Sequence, residues 1–222
     1  MVNVTKTQPP PKSLEVEKNK SNGEYNTEEV LNLLKKDFNN KCYICEVKNL
    51  TSINVEHFKA HKGNVGLKFD WNNLFLSCSH CNNTKLAKFD DILNCTDIND
   101  DVVGFMIYKF DEFSKSKVIV TPIAEKQNDD RVKNTAQLLN LVYNGKTPTK
   151  DFEATNLRKL LVTEIYKFKD ILAKYLNDDF SDEKEEILAD LGKMLSKKSP
   201  FTAFKRWIVK EKKLKELEVY FD

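Results

Sequence analysis

An excess of either charge is missing from this chain: 36 Lys and Arg stand against 34 Asp and Glu over 222 residues, a formal net charge of +2. Near-neutrality excludes inferring a nucleic-acid partner from bulk charge. A duplex-binding surface is normally basic, so any such affinity must come from a local patch or from a partner. An apolar N-terminal leader is also missing, and 40% of the residues are hydrophobic. The expectation is a cytoplasmic protein with reduced thiols and no membrane role. No Gly-x-x-x-x-Gly-Lys-Ser/Thr loop occurs, which excludes phosphate-loop nucleotide hydrolysis by this stretch of chain. Histidine is scarce, confined to His57, His61 and His80, so the search for a general base is short. The length leaves room for one compact domain plus an appended lobe.

What is present is a frame of four cysteines. Cys42-Tyr43-Ile44-Cys45 and Cys78-Ser79-His80-Cys81 form two Cys-x-x-Cys pairs around Asn54-Val55-Glu56-His57-Phe58. Such a pair sets two thiolates on one tetrahedral ion at about 2.3 Å per sulfur, so two pairs close a structural zinc shell with no open position for chemistry. Disulfides would use the same residues in an oxidising compartment; reduced thiols favour zinc. His80 competes as a ligand from inside the second pair, but four thiolates already fill the shell, and an exposed His80 is expected. Cys95, outside both pairs, reads as a small buried apolar residue. Chemistry must then come from residues between and just after the pairs.

Those residues resemble the HNH nuclease motif. Glu56-His57, Asn73-Leu74-Phe75-Leu76-Ser77-Cys78, Cys81-Asn82 and Lys85 occur in order and with family-like spacing across roughly residues 42 to 88. Asn82 replaces the histidine often found at the third position, which makes this an H-N-N variant. The resemblance implies a compact strand–strand–helix unit with His57 as general base, Asn73 bridging the loop after His57 and orienting its ring, and Lys85 contacting the substrate phosphate. It also implies Glu56 and Asn82 as ligands of a catalytic Mg²⁺ or Mn²⁺.

The chemistry stands apart from the name. An imidazole with an ordinary pKa near 6.5 suits general base catalysis at neutral pH, and a carboxylate and an amide oxygen are hard donors that leave positions for water and phosphate. Plainer readings compete. His57 would be a satisfied core histidine between Val55 and Phe58, Glu56 a solvated strand residue, and Asn82 a helix cap. The cysteine frame tips the balance toward catalysis. His61 lies four positions after His57, but Gly63 and Gly66 argue for a loop, so a supporting or substrate-facing role, or none, is expected.

Around this unit the pattern changes. Residues 1–24 read as a flexible tail, with polyproline-like Thr7-Gln8-Pro9-Pro10-Pro11-Lys12 and polar Lys18-Asn19-Lys20-Ser21-Asn22-Gly23. Asn26 with Glu29 forms a candidate capping pair for a helix bearing Val30, Leu31, Leu34 and Phe38. Ile53 and Val55 alternate as in a strand that ends at His57, beside a loop with Lys59, Lys62 and Lys68; Trp71, Leu74 and Leu76 read as core. Val102–Phe110 and Lys117–Ile123 predict a β-hairpin. Asp129–Leu141 predicts a helix stopping at Asn144-Gly145. A long helix from Thr149 aligns Leu157, Leu160, Leu161, Ile165, Phe168, Leu172, Tyr175 and Leu176 on one stripe. Ser181 and Ser199-Pro200 open two more, the last burying Phe201, Phe204 and Ile208. Basic residues from Lys193 through Lys197, Lys198, Lys205, Arg206, Lys210, Lys212 and Lys213 to Lys215 follow acidic Asp178, Asp179, Asp182, Glu183, Glu185 and Glu186. Such runs are first of all solvated helix faces.

The expected fold is α+β: a zinc-stapled HNH core with following hairpin over 25–125 and a helical C-terminal lobe over 126–222. The Cys-Tyr-Ile-Cys-Glu46 knuckle, the Val55–Phe58 stretch, the Pro-rich start and Arg131–Leu141 are similar to the HNH subunit of Septu-type and retron-associated anti-phage systems. That resemblance implies a metal-dependent nuclease acting on nucleic acid, DNA favoured, restrained by a partner ATPase of SMC-like or ABC-like kind. A ribonuclease using the same residues, and a zinc-knuckle binding module without catalysis, are the competing expectations.

Overall fold

In the computed structural model, residues 1–50, 52–110, 117–177 and 182–222 are described. Helices α1 (Lys12–Lys18) and α2 (Glu28–Asp37) precede strand β1 (Ile53–His57). A short α3 (Val65–Lys68) and a 3-10 turn over Trp71–Asn73 lead into β2 (Leu74–Cys78), which runs directly into α4 (Ser79–Lys85). β1 and β2 pair antiparallel with Val55 opposite Leu76 and His57 opposite Leu74. This is the strand–strand–helix unit expected from the motif. Strands β3 (Met106–Lys109) and β4 (Ile119–Pro122) form a second antiparallel pair. Helices α5 (Asp130–Asn144), α6 (Pro148–Tyr175), α7 (Lys184–Leu195) and α8 (Thr202–Glu211) complete the α+β architecture.

The end signals explain where the helices start and stop. Asp129 caps α5 by accepting from the Arg131 and Val132 N–H groups, and Gly145 at φ 65° ends it. Thr147 caps α6, with Pro148 in its first turn. For α2 the cap is Thr27, which accepts from Val30 N, rather than Asn26. Glu29 is turned outward to Ser13 N at 2.9 Å. The last helix begins at Thr202, after Phe201 in the left-handed region at φ 52°, slightly later than Ser199-Pro200 suggests. The expected start at Ser181, and Asp178 and Asp179 of the acidic run, lie outside the described residues.

Three expectations are corrected. Residues 1–24 are not a free tail: Met1, Val2, Val4 and Leu14 are buried, and Val4 N donates to Cys95 O at 2.8 Å. Thr7 donates through its N and Oγ1 to the Asp37 carboxylate at 2.7 and 2.6 Å, and the Trp71 indole donates to Thr7 O at 2.9 Å. Lys6 lies over the Trp71 ring at 3.8 Å, and burial pulls its ammonium down to about 7. Pro-rich composition signals the lack of internal helix bonds, and here the partners come from the rest of the protein. On α6, Leu160 and Leu176 are exposed, and the buried face is Ala154, Leu157, Leu161, Ile165, Phe168 and Leu172. In the C-terminal basic run, Lys205 and Arg206 are interior. Lys205 Nζ donates to Ser199 Oγ at 2.8 Å and Arg206 Nε to Leu195 O at 2.8 Å.

One apolar core runs from Met1 through the cysteine knuckle, both strand pairs and α5 into the first half of α6. A second, smaller core joins Phe168 and Leu172 of α6 to Ile187, Leu191, Leu195, Val209 and Leu217. The division between cores therefore falls inside α6. Glu46 stitches the knuckle to α8, accepting from Thr202 N at 2.8 Å and Ala203 N at 3.3 Å. It also pairs with the Met1 amino group at 2.8 Å and Lys41 at 3.4 Å. Burial alone would raise this carboxyl, but the Met1 ammonium, Lys41 and the helix N–H groups outweigh it and hold it at about 2.

Candidate active site

The cysteine frame is built from one tight turn and one strand-to-helix junction. Glu46 N bonds to Cys42 O at 2.9 Å, with Glu46 itself at φ 59°, and Tyr43 N donates to Leu76 O at 3.0 Å, which ties the first pair to β2. Cys78 ends β2 and Cys81 sits in the first turn of α4. All five cysteines are free thiols. The four paired sulfurs lie within 4.8 Å of one another, and Cys45 and Cys78 are 3.9 Å apart. A tetrahedral zinc with 2.3 Å bonds requires sulfur separations of about 3.8 Å, so the donor set fits. Burial pushes the Cys45 and Cys81 thiols up, whereas hydrogen bonds from Cys42, Cys45 and Cys81 pull Cys78 down. A bound dication stabilises all four as thiolates.

His57 stands at the end of β1, half-buried, with the Tyr25 ring at 4.4 Å and the His61 ring at 4.7 Å between centroids. Its Nε2 lies 3.0 Å from Lys68 O. A carbonyl only accepts, so Nε2 carries the proton and Nδ1 keeps a lone pair. Lys68 is held in turn by the loop that Asn73 braces. Asn73 Oδ1 accepts from Lys59 N at 2.7 Å, and its Nδ2 donates to Lys59 O at 2.9 Å and Leu67 O at 3.0 Å. The Asn73 side chain thus spans the loop one residue from the carbonyl that fixes the imidazole. Burial lowers the His57 pKa, and the bond to Lys68 only partly opposes it.

Glu56 adjoins His57 on β1. It is buried, with Oε1 accepting from Tyr43 Oη and lying 3.8 Å from Lys85 Nζ. Desolvation raises its carboxyl to about 7 against the opposing pull of Lys85 and Tyr43. Lys85 departs from expectation. Its side chain is only 3% exposed, and Nζ donates to His57 O at 3.2 Å, so it clamps α4 to the strand end instead of extending into solvent. Asn82, one helical turn earlier, has no side-chain hydrogen bond among the described residues.

A cavity of about 310 Å³ gathers these groups, with Glu56, His57, His61, Lys62, Asn82 and Lys85 in its lining together with Tyr25 and Leu86. The His57 imidazole, the Glu56 carboxyl, the Asn82 amide and two lysines thus line one cleft. The expectation of an exposed His80 is corrected: its Nδ1 meets Glu153 Oε2 at 2.7 Å and its Nε2 meets Val142 O at 2.8 Å, bridging α4 to α5 and α6. His61 accepts from Gly63 N through Nδ1 at 3.2 Å, in a turn where Lys62 adopts φ 47° and Gly63 φ 84°. The left-handed region costs a residue with Cβ roughly 1–2 kcal/mol. Sequence reading missed Tyr25, since it lies outside the motif and no periodicity marks it.

Residues 42–88 match the HNH endonuclease family, a stretch that contains the cysteine frame and, apart from Tyr25, the lining of the cleft. The chain is also similar to Septu protein PtuB from Bacillus mycoides (strain KBAB4), at 39% identity over 85 residues that cover 32% of this chain and 29% of that protein. The match spans less than a third of that relative's length.

Proposed function

We propose that this chain is a metal-dependent endonuclease that hydrolyses phosphodiester bonds in nucleic acid, DNA in preference to RNA. In this reading it serves as the nuclease subunit of an anti-phage defence system with an ATPase partner. The observation that carries the reading is the oriented imidazole: His57 donates through Nε2 to a braced carbonyl and lines the same cavity as Glu56 and Asn82. Similarity to a Septu protein supports the defence setting. Among the described residues no helix is long and apolar enough to cross a membrane, and reduced cysteines suit the cytoplasm.

Hydrolysis needs a water deprotonated, charge on the phosphate neutralised and the departing oxygen stabilised. His57 takes the proton of the attacking water on Nδ1 while Lys68 O holds the ring through Nε2. Glu56 and Asn82 would hold Mg²⁺ or Mn²⁺, which supplies charge to the phosphate and the leaving oxygen. Lys85 and Tyr43 keep the Glu56 carboxylate positioned, and a structural zinc on the four cysteines would tie the Cys42–Cys45 turn to the β2–α4 junction that leads into Asn82.

The test is cleavage of matched DNA and RNA pools by the zinc-loaded chain, alone and with its co-purifying partner, after EDTA treatment and after adding Mg²⁺ or Mn²⁺. Cleavage restored by metal, faster on DNA, supports the reading. Cleavage of RNA alone moves the substrate to ribonucleic acid, and binding without cleavage under all these conditions leaves a zinc-knuckle binding module.

A further inference from the structure

The cleft contains two lysines, and only one is available to a ligand. Lys85 is enclosed between the Glu56 carboxylate and the His57 carbonyl. Lys62 is exposed at the mouth, and its ammonium has no partner among the described residues. Its backbone is held from both sides. Ala60 N donates to Asp90 Oδ1 at 3.1 Å, Asn64 N to His61 O at 2.7 Å and Gly63 N to His61 Nδ1 at 3.2 Å. The turn also places Lys62 at φ 47°, a conformation that asparagine or glycine adopts more easily. Gly63 already provides the turn with a residue free of Cβ strain, so the fold gains nothing from a lysine at 62. The braced turn holds the Lys62 backbone at the cleft mouth, and its unpartnered ammonium is free to meet an entering anion there.

We propose that Lys62, and not Lys85, is the residue that grips a substrate phosphate at the mouth of the His57 cleft. The assignment rests on the nuclease reading for the identity of the anion, a nucleic-acid phosphate, but its measurement is separable from cleavage. A lysine on a phosphate releases one counterion's share of the salt dependence, whereas a lysine serving the fold changes stability instead.

The experiment measures binding of a fluorescently labelled DNA duplex by anisotropy across a KCl series. It uses the full chain carrying His57→Ala, so that no cleavage intervenes, and compares Lys62→Asn and Lys62→Arg in that background. Lys62→Asn is expected to weaken Kd about 3- to 10-fold near 0.1 M salt and to reduce the log Kd against log salt slope by about one. Its Tm should equal or exceed that of the parent, because asparagine relieves the left-handed strain. Lys62→Arg should bind as the parent does. Parental affinity and slope in Lys62→Asn, weaker binding that tracks a lowered Tm, or no binding by the parent would each overturn the assignment. Lys62-dependent binding in a protein whose wild type never cuts with Mg²⁺ or Mn²⁺ would support the phosphate contact and remove the nuclease reading alone.

Discussion

Asn73→Ala is the perturbation that most fully exercises the link between fold and chemistry. The Asn73 side chain is buried and makes three hydrogen bonds across the loop that follows His57, to Lys59 N, Lys59 O and Leu67 O at 2.7, 2.9 and 3.0 Å. Removing them exchanges three bonds worth about 1 kcal/mol net each for backbone groups with impaired solvation, a loss of about 2–4 kcal/mol. For a chain of this size that lowers Tm by roughly 5–15 °C. The kinetic effect has a different origin. Lys68 follows Leu67, and its carbonyl fixes the His57 ring at 3.0 Å, so a slack loop lets the imidazole turn. Misplacing a catalytic group by about 1 Å can cost 100-fold, and a loss of 10- to 100-fold in single-turnover cleavage is expected. Asn73→Asp should fare no better, because it retains the acceptor for Lys59 N but sets a carboxylate against two carbonyls. Thermal melts and single-turnover cleavage well below the variant's Tm check both limbs. A variant that melts early yet cuts at the wild-type rate would refute the claim that this loop orients His57.

Two further predictions concern the frame. Cys45→Ser or Cys81→Ser should abolish zinc binding and unfold the domain around β1, β2 and α4, since a structural zinc contributes roughly 10–16 kcal/mol in small zinc domains; metal analysis with circular dichroism reads this, and a folded variant without zinc would contradict the staple. Glu46→Gln should destabilise the protein by about 3 kcal/mol at neutral pH, because the carboxyl is held at about 2, well below its ordinary 4.5. With a depressed folded-state pKa, this stability is present above about pH 4.5 and is lost as pH falls toward 2. Denaturant titrations over that range should therefore lose less stability in the variant than in wild type, and identical pH profiles would contradict the hub role.

The parts of the site that depend on local spacing were legible in the sequence. Each Cys-x-x-Cys spacing brings its two sulfurs together locally, one pair in a tight turn and one across the β2–α4 junction, and the alternation through Val55 and His57 marks the strand whose partner begins at Leu74. Asn73 as the brace of the following loop also matches its observed bonds. What was not legible depends on which face another element covers. Spacing puts Lys85 on the same side of α4 as Asn82, yet it does not reveal that Glu56 and the His57 carbonyl enclose its ammonium. His80 looked exposed because its partners, Glu153 and Val142, lie more than sixty residues away. Residues 1–24 looked free for the same reason: Thr7, Lys6 and Val4 are satisfied by Asp37, Trp71 and Cys95, long-range partners that no window of local sequence contains. On α6 periodicity marks a face but not its edges, and Leu160 and Leu176 lie outside the buried one.

In the proposed reaction His57, held by Lys68 O, acts as general base beside a hard-cation site. The most direct measurement is single-turnover cleavage of a labelled DNA by zinc-loaded wild type and His57→Ala, with Mg²⁺ or Mn²⁺ and the partner protein present. The account predicts a rate loss of about 100- to 10,000-fold in His57→Ala with zinc content and Tm unchanged. Equal cleavage by the two proteins would contradict it.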